Sequence, residues 1–336
     1  MFQEAQSAAQ CISRLLQHDQ RQYAALGAEL RSQPPSAVVT IARGSSDHAA
    51  HYMAYMIMAR LGRLVTSLPM SLVTLYRAEI QSKGLMSVAF SQSGQSPDLI
   101  EPSRSVRGGG GRTVAFINAE ASPLAAACEW VFPLHAGAEK SVAATKSFIA
   151  QMVAGARLTA AWQEDPILQA ALDHLPQKLE LAAAVQWLPA IETLVHADKL
   201  IVIGRGTSMA IAMEAALKFK ETCCIQAEAF SSAEVKHGPM ALVDKNYPML
   251  VFAPRGPAQA GLIDLATEMR MRGARVLLAA PQGTPSADLP LITTDHEDLD
   301  PIAAIQSFYL MVEMLARSRG MNPDAPRHLA KVTQTH

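Results

Sequence analysis

Charge of either sign is scarce in this 336-residue chain. Asp, Glu, Lys and Arg make up 18% of it, and they balance to a net −1. A chain so nearly neutral carries no electrostatic footprint for nucleic acid or an anionic membrane. Any anionic ligand must therefore be met by local donors. No stretch approaches 18 uninterrupted apolar residues, so no membrane span is expected. The opening "MFQEAQSAAQCISRLLQHD" lacks the basic start and continuous apolar run of a secretory signal. The four cysteines, Cys11, Cys128, Cys223 and Cys224, show neither metal-ligand spacing nor a disulfide framework. The cytoplasm is the expected compartment. Adjacent Cys223 and Cys224 fit buried helix filler, with a redox pair as the alternative. What the chain does have is 49% hydrophobic content and enough length for two ordinary domains, which places it among soluble globular proteins.

One plan is written twice. "AVVTIARGSSDHAAHYMAYMIMARLG" runs from a β-branched segment through Gly-Ser-Ser into an apolar helical pattern; Met53, Met56 and Met58 on it fit a buried helix. "KLIVIGRGTSMAIAMEAALKFKE" repeats the plan, with Val38–Ser46 aligning on Leu200–Ser208 so that Arg, Gly and the final Ser coincide. A repeat of this length predicts two domains of similar fold. Each copy alternates apolar strands with helical patterns: "VVTIA", "LVTSLP", "LMSVAFS", "RTVAFIN" and "WVFPLHAG" in the first, "LIVIG", "CIQAEAF", "YPMLVFAP", "ARVLLAAP" and "LPLITT" in the second. Continuous apolar strands between helices predict an α/β fold in which each copy is a parallel sheet covered on both faces, a flavodoxin-like three-layer sandwich with right-handed crossovers.

The expected divisions are a helical extension over residues 1–24, a first domain over 25–165, a connector over 166–196 punctuated by Pro176 and Pro189, a second domain over 197–320, and a tail over 321–336. The run Gly108–Gly111 precedes a strand, whereas a phosphate loop follows a strand and opens a helix; it reads as a helix-to-strand turn.

The stretch "VAFSQSGQSPDLIEP" places Ser91, Gln92, Ser93, Gly94 and Ser96 on one strand-to-helix turn with no Lys or Arg among them. Open α/β sheets bind ligands at the carboxyl ends of their strands, where helix N-termini point. Such a turn offers hydroxyls, backbone N–H groups and a helix dipole to one spot, an anion site that needs no cationic side chain. Gly94 permits close backbone approach, and Pro97 suits the first helical turn. Ser45 and Ser46 supply a second such turn. For either turn alone, a plain helix cap is the competing account. Gly206-Thr207-Ser208 in the second copy reads as a structural relic of the repeat.

"EAALKFKE" puts Glu214, Lys218 and Glu221 on one helix face by i, i+4 and i+7 spacing. A carboxylate beside an ammonium stays ionised and suits a base that shuttles a proton between adjacent carbons. His237 in "KHGP" lies on a loop, and histidine as a residue type exchanges protons near neutral pH, the range needed to open a sugar ring. Taken singly, the pair can be a helix ion pair and the histidine a solvated loop residue.

"GSS", "SQSG" and "GRGTS" resemble the sugar isomerase (SIS) domain family, here as a tandem pair. "AGAEKSVAATKSF", "EAALKFKETCCIQAEAFSSAEVKHGPMALVD" and the terminal "PRHLAK" resemble the isomerase half of glucosamine-6-phosphate synthase. The resemblance implies that Ser45, Ser46, Ser91, Gln92, Ser93 and Ser96 hold a sugar phosphate, with backbone near Val142 touching the sugar. It implies that Glu221 transfers a proton between C1 and C2 with Lys218 assisting, that Glu214 lies beside the substrate, and that His237, which in this family can come from the neighbouring subunit, opens the ring. Lys331 matches the lysine that forms a Schiff base with the ketose.

A homodimer with active sites near the subunit interface is implied, acting on a phosphorylated amino sugar without metal or nucleotide cofactor. The sequence departs from the synthase at Gln95-Ser96, where that pattern has Glu-Thr, and at Lys140-Ser141, where it has an apolar residue and Gly. No glutaminase segment with its cysteine nucleophile stands before residue 20. The expected reaction is therefore the reverse one, deamination of glucosamine 6-phosphate to fructose 6-phosphate. Another ketose–aldose isomerase, a galactosamine-6-phosphate deaminase or a fructosamine-phosphate deglycase shares these residues. A non-catalytic phosphosugar sensor is the alternative of a different class, and such a sensor has no need for Glu221, His237 and Lys331 together.

Overall fold

In the computed structural model, which describes residues 1–331, the chain forms ten strands in two five-stranded sheets. The first sheet comprises β1 (Ala37–Ile41), β2 (Val65–Ser67), β3 (Leu85–Ser91), β4 (Arg112–Ile117) and β5 (Trp130–Pro133), in the order β2-β1-β3-β4-β5. The second comprises β6 (Lys199–Gly204), β7 (Gln226–Ser231), β8 (Pro248–Phe252), β9 (Arg275–Pro281) and β10 (Leu289–Leu291), in the order β10-β9-β8-β6-β7. Every pairing is parallel, and the second sheet has the order of the first when read from its other edge. The α/β class and the twofold repeat are as the sequence predicts.

The chain divides into two compact units. One, unit A, holds residues 10–139, 146–173 and the described end of the tail, Ala330 and Lys331; the other, unit B, holds residues 1–9, 140–145 and 174–329. Each is built by the same physics. In unit A the strand residues alternate between two apolar layers. Val39, Ile41, Ala89, Ala115 and Ile117 pack with Leu99, Ile100 and Leu124. On the opposite side Phe90, Phe116 and Phe132 meet edge-on or tilted, and Tyr23 lies against Phe132.

The helix Lys146–Gln163 is buried almost throughout and crosses helix Ser45–Leu61 at Gly155. A Cβ at Gly155 would stand 2.8 Å from Met53 Cβ, so only glycine allows that approach. Met53 and Met56 are buried as expected, but Met58 is 38% exposed, because the helix turns that side to solvent.

In unit B, Ile201, Ile203, Met249, Val251, Val276 and Leu278 form one layer with Leu262, Leu265 and Met269. Phe219, Phe252, Phe308 and Trp187 pack together apart from that cluster. The stretch Glu297–Ser318 is apolar and long enough to cross a membrane by composition alone, yet almost all of it is buried, as in the core helix of a globular fold. Its Gln306 side chain donates to Ala5 O, which ties the first helical turn of the chain, Phe2–Gln6, into this unit.

Candidate functional site

Three carbonyls of the turn after β3 are taken by the neighbouring loop, with Asn118 N on Ser91 O, Ala119 N on Gln92 O and Leu124 N on Gly94 O. Ser91 Oγ accepts from Gly94 N at 2.9 Å, closing the bend. Gly94 has φ +64°, and a Cβ there would meet Ile117 Cδ1 and Ser122 Oγ at 2.4 Å. Both conformation and space demand glycine. Ser96 occupies the N-cap position of helix Pro97–Gly108, but its hydroxyl accepts no helix N–H. A plain cap would use that oxygen; here it is not so used. Gln92, Ser93 and Ser96 are all half-buried around this bend, and Gln95, in the place of the synthase's acid, is exposed.

The turn after β1 lies in the same unit. Gly44, at φ +54°, precedes helix Ser45–Leu61, whose first turn holds Ser45, Ser46 and Asp47. Ser46 Oγ accepts from Gln151 Nε2 at 2.9 Å, so a buried amide of helix Lys146–Gln163 aims that hydroxyl. Burial pushes the Asp47 carboxyl above its ordinary value, with His48, His51 and Arg43 pulling the other way.

Lys331 also belongs to unit A. Its Nζ lies 3.3 Å from Glu139 Oε2, and that carboxylate is wholly buried. Glu139 is pinned by Ser147, whose backbone N donates at 3.2 Å and whose hydroxyl donates at 2.5 Å. Ser147 is the second residue of its helix, so the carboxylate caps a helix N-terminus while it holds the tail's amine.

In unit B, helix Ser208–Cys223 carries the candidate acid–base group. Lys218, with a side chain 1% exposed, lies 2.6 Å from Glu221 Oε2 and 3.2 Å from Glu214 Oε1. Glu214 is fully buried and accepts from Tyr309 Oη at 3.0 Å. Glu221 is the member that reaches solvent. Burial alone would lower the Lys218 ammonium; the two carboxylates, Glu214 first, more than offset this and hold it above its ordinary value. The cluster is thus a buried cation clamped between two anions, one of which faces out.

His237 ends a single 3-10 turn, Glu234–His237, and is exposed before Gly238. The Val142 N–H donates to Asp324 O within the same unit. Cys223 is buried, whereas Cys224 follows it exposed and in a left-handed conformation. Among the described residues no cluster of His, Cys, Asp and Glu is arranged to hold a metal ion.

Of the residues singled out from sequence, then, Ser45, Ser46, Ser91, Gln92, Ser93, Ser96 and Lys331 lie in unit A, and Val142, Glu214, Lys218, Glu221 and His237 in unit B. Sequence reading missed Gln151, Glu139 and Tyr309, which orient Ser46, Lys331 and Glu214. Only the motif "AGAEKSVAATKSF" carried a signal for any of them, since Glu139 and Ser147 both lie in it.

The SIS domain model matches residues 32–161 and again 193–316. The glutamine–fructose-6-phosphate aminotransferase (isomerizing) of a Thermus thermophilus strain is 32% identical over 325 residues, which span 91% of this chain and 53% of that protein. The chain thus spans about half the length of the curated relatives it matches. A solved candidate phosphosugar isomerase from Silicibacter pomeroyi is 41% identical, with a TM-score of 0.91 over 96% of this chain and 99% of that one. The glucosamine-6-phosphate deaminase of Thermotoga maritima shares the fold at 20% identity, with a TM-score of 0.79 over 99% of each chain. Two matched segments on two parallel sheets with serine-bearing strand-to-helix turns establish the family: the chain belongs to the SIS domain proteins, as a tandem pair.

Proposed function

We propose that this chain is a phosphosugar isomerase of the SIS type that acts on an amino-sugar 6-phosphate, converting glucosamine 6-phosphate to fructose 6-phosphate and ammonia. The observation that carries this reading is the Glu214–Lys218–Glu221 cluster. A buried ammonium between one buried carboxylate and the solvent-facing Glu221 holds Glu221 in place, as a proton shuttle between adjacent carbons requires. The relatives named for fructose 6-phosphate amination and for isomerisation support the substrate class.

In the proposed reaction the two serine turns take the phosphate through hydroxyl and amide donors. His237 opens the ring by moving the proton of the C1 hydroxyl onto the ring oxygen. Its exposure suits a residue that serves a partner subunit's site in a homodimer. Glu221 removes the proton from C2 of the open aldose, giving an enolamine, and returns it to C1. The product is the C2 imine. Water adds at C2, the C–N bond breaks, and ammonia leaves with the proton. Lys331, whose amine donates to Glu139, would engage the ketose carbonyl. We place the enzyme in the cytoplasm, in keeping with its four free cysteines.

The test is to incubate the full chain with glucosamine 6-phosphate and measure both products. Equal amounts of ammonia and fructose 6-phosphate are expected. Turnover of galactosamine 6-phosphate alone would change the sugar, and a ketose formed without ammonia would change the reaction. No turnover of any hexose or hexosamine phosphate would remove the enzyme reading.

A further inference from the structure

Neither serine turn contains a cation, yet one stands between them. Arg43, immediately before Gly44, donates through Nη2 to Asp98 Oδ2 at 3.1 Å. Asp98 is the second residue of the Pro97–Gly108 helix, two places after Ser96. The two partners differ in environment: the Asp98 side chain is 4% exposed, the Arg43 side chain 56%. A fully exposed pair of this kind would contribute almost nothing. A buried carboxylate is another case, because taking a guanidinium away from it costs far more than breaking an exposed pair.

The position of that charge matters. Asp98 and Asp47 each lie in the first turn of a helix that follows a serine turn. Both would oppose a phosphate dianion seated there unless a cation offset them. Arg43 bonds the first, and its charge also favours the ionised form of the second.

A guanidinium has five N–H donors, and among the described residues Arg43 spends only the Asp98 bond. An arginine elsewhere in the second copy, not the one that aligns with Arg43, supplies a contrast. Arg255, after β8, gives Nε and Nη2 to Asp300 at 2.7 and 2.9 Å, and Nη2 also to Thr294 O at 2.7 Å. Arg255 thus spends Nε and Nη2 on three bonds, whereas Arg43 spends Nη2 on one.

We propose that Arg43 is a phosphate-binding and positioning residue. Through Asp98 it ties the turn after β1 to the helix after β3, and its open donors take an oxygen of the sugar phosphate. The assignment rests on the phosphosugar reading above and adds a cation to a site expected to have none.

Titration calorimetry on the full chain, with inorganic phosphate and with glucosamine 6-phosphate, tests it alongside steady-state kinetics. Arg43→Ala should weaken both ligands by about tenfold to a hundredfold, the worth of a charge-assisted bond, with the loss falling on KM much more than on kcat. Arg43→Lys keeps the charge without the fork and should recover part of the loss. Adding Asp98→Asn to Arg43→Ala should also recover part, by removing a negative charge beside the phosphate.

If the wild type binds phosphate and Arg43→Ala binds it equally well, the role of Arg43 is overturned and the phosphosugar reading stands. If the wild type binds neither ligand, both fall together. Should Arg43→Ala melt before it can be titrated, Arg43→Lys decides: weaker phosphate binding upholds the assignment, and wild-type affinity overturns it.

Discussion

The two copies of the repeat have the same strand order and the same entry into their first helix, but they spend their polar groups differently. After β1, Ser46 Oγ is aimed by Gln151 of another helix and remains half-exposed. At the matching place after β6, Ser208 Oγ accepts from Arg205 N at 3.0 Å, donates to Arg205 O at 2.9 Å, and is 1% exposed. At the end of β3 come Ser91, Gln92, Ser93 and Gly94; after β8 come Ala253, Pro254, Arg255 and Gly256, with no hydroxyl and with a proline that has no N–H. The helices reverse the pattern. Helix Ser45–Leu61 buries Tyr52, Met53, Met56 and Ile57, whereas helix Ser208–Cys223 buries Glu214 and Lys218. On the proposed function, a duplicated frame has kept its core and divided its chemistry, with the proposed anion donors in one copy and the proposed acid–base group in the other.

The sharpest way to break this division is at Glu221. Glu221→Gln keeps the shape and the bond from Lys218 but cannot take a proton. Turnover of glucosamine 6-phosphate should fall by about a hundredfold to ten-thousandfold, the usual worth of a positioned acid–base group. Phosphosugar affinity, measured by calorimetry, should remain close to wild type, because the donors lie in the other copy. Full activity in that variant would remove the acid–base role from the second copy.

Lys218 tests the same copy through stability. Lys218→Met takes the ammonium away from the fully buried Glu214, and about 3–5 kcal/mol of stability should be lost, read as a lower Tm and urea midpoint. The sign of the pH dependence follows from the direction of the shift. The Lys218 ammonium lies above its ordinary value, so its contribution is fully present below about pH 10.4 and is lost as the pH rises through the folded value. The wild type should therefore lose stability in the alkaline range more steeply than the variant does.

Much of this was legible because it is local. The repeat, the strands, the glycine run as a helix-to-strand turn, and the i, i+3 and i+4 geometry of Glu214, Lys218 and Glu221 all follow from spacing within a few residues. The groups that aim the candidate site were not legible. Gln151 reaches Ser46, Asp98 reaches Arg43, and Glu139 reaches Lys331 across 105, 55 and 192 positions of chain. Each sits in an apolar or polar stretch whose period is explained without it: Gln151 is one residue of a helix buried almost all round, and Asp98 looks like an ordinary first-turn acid. Tertiary partners of this kind leave no periodic trace. Met58 failed for a related reason, since a methionine row at helical spacing does not say which side another helix will cover.

The smallest predicted effect compares the copies most directly. Ser46→Ala removes a hydroxyl that faces the proposed anion and frees Gln151 from its acceptor. KM for the sugar phosphate should rise by about tenfold while Tm changes little, because the site is half-exposed and the amide can bond to water. Ser208→Ala removes a hydroxyl that serves only its own turn. The Arg205 N–H loses its acceptor, and about 1 kcal/mol of stability should go with KM unmoved. A rise in KM from Ser208→Ala, or a fall in Tm with unchanged KM from Ser46→Ala, would mean that the two turns have not parted company and that the anion donors are not confined to the first copy.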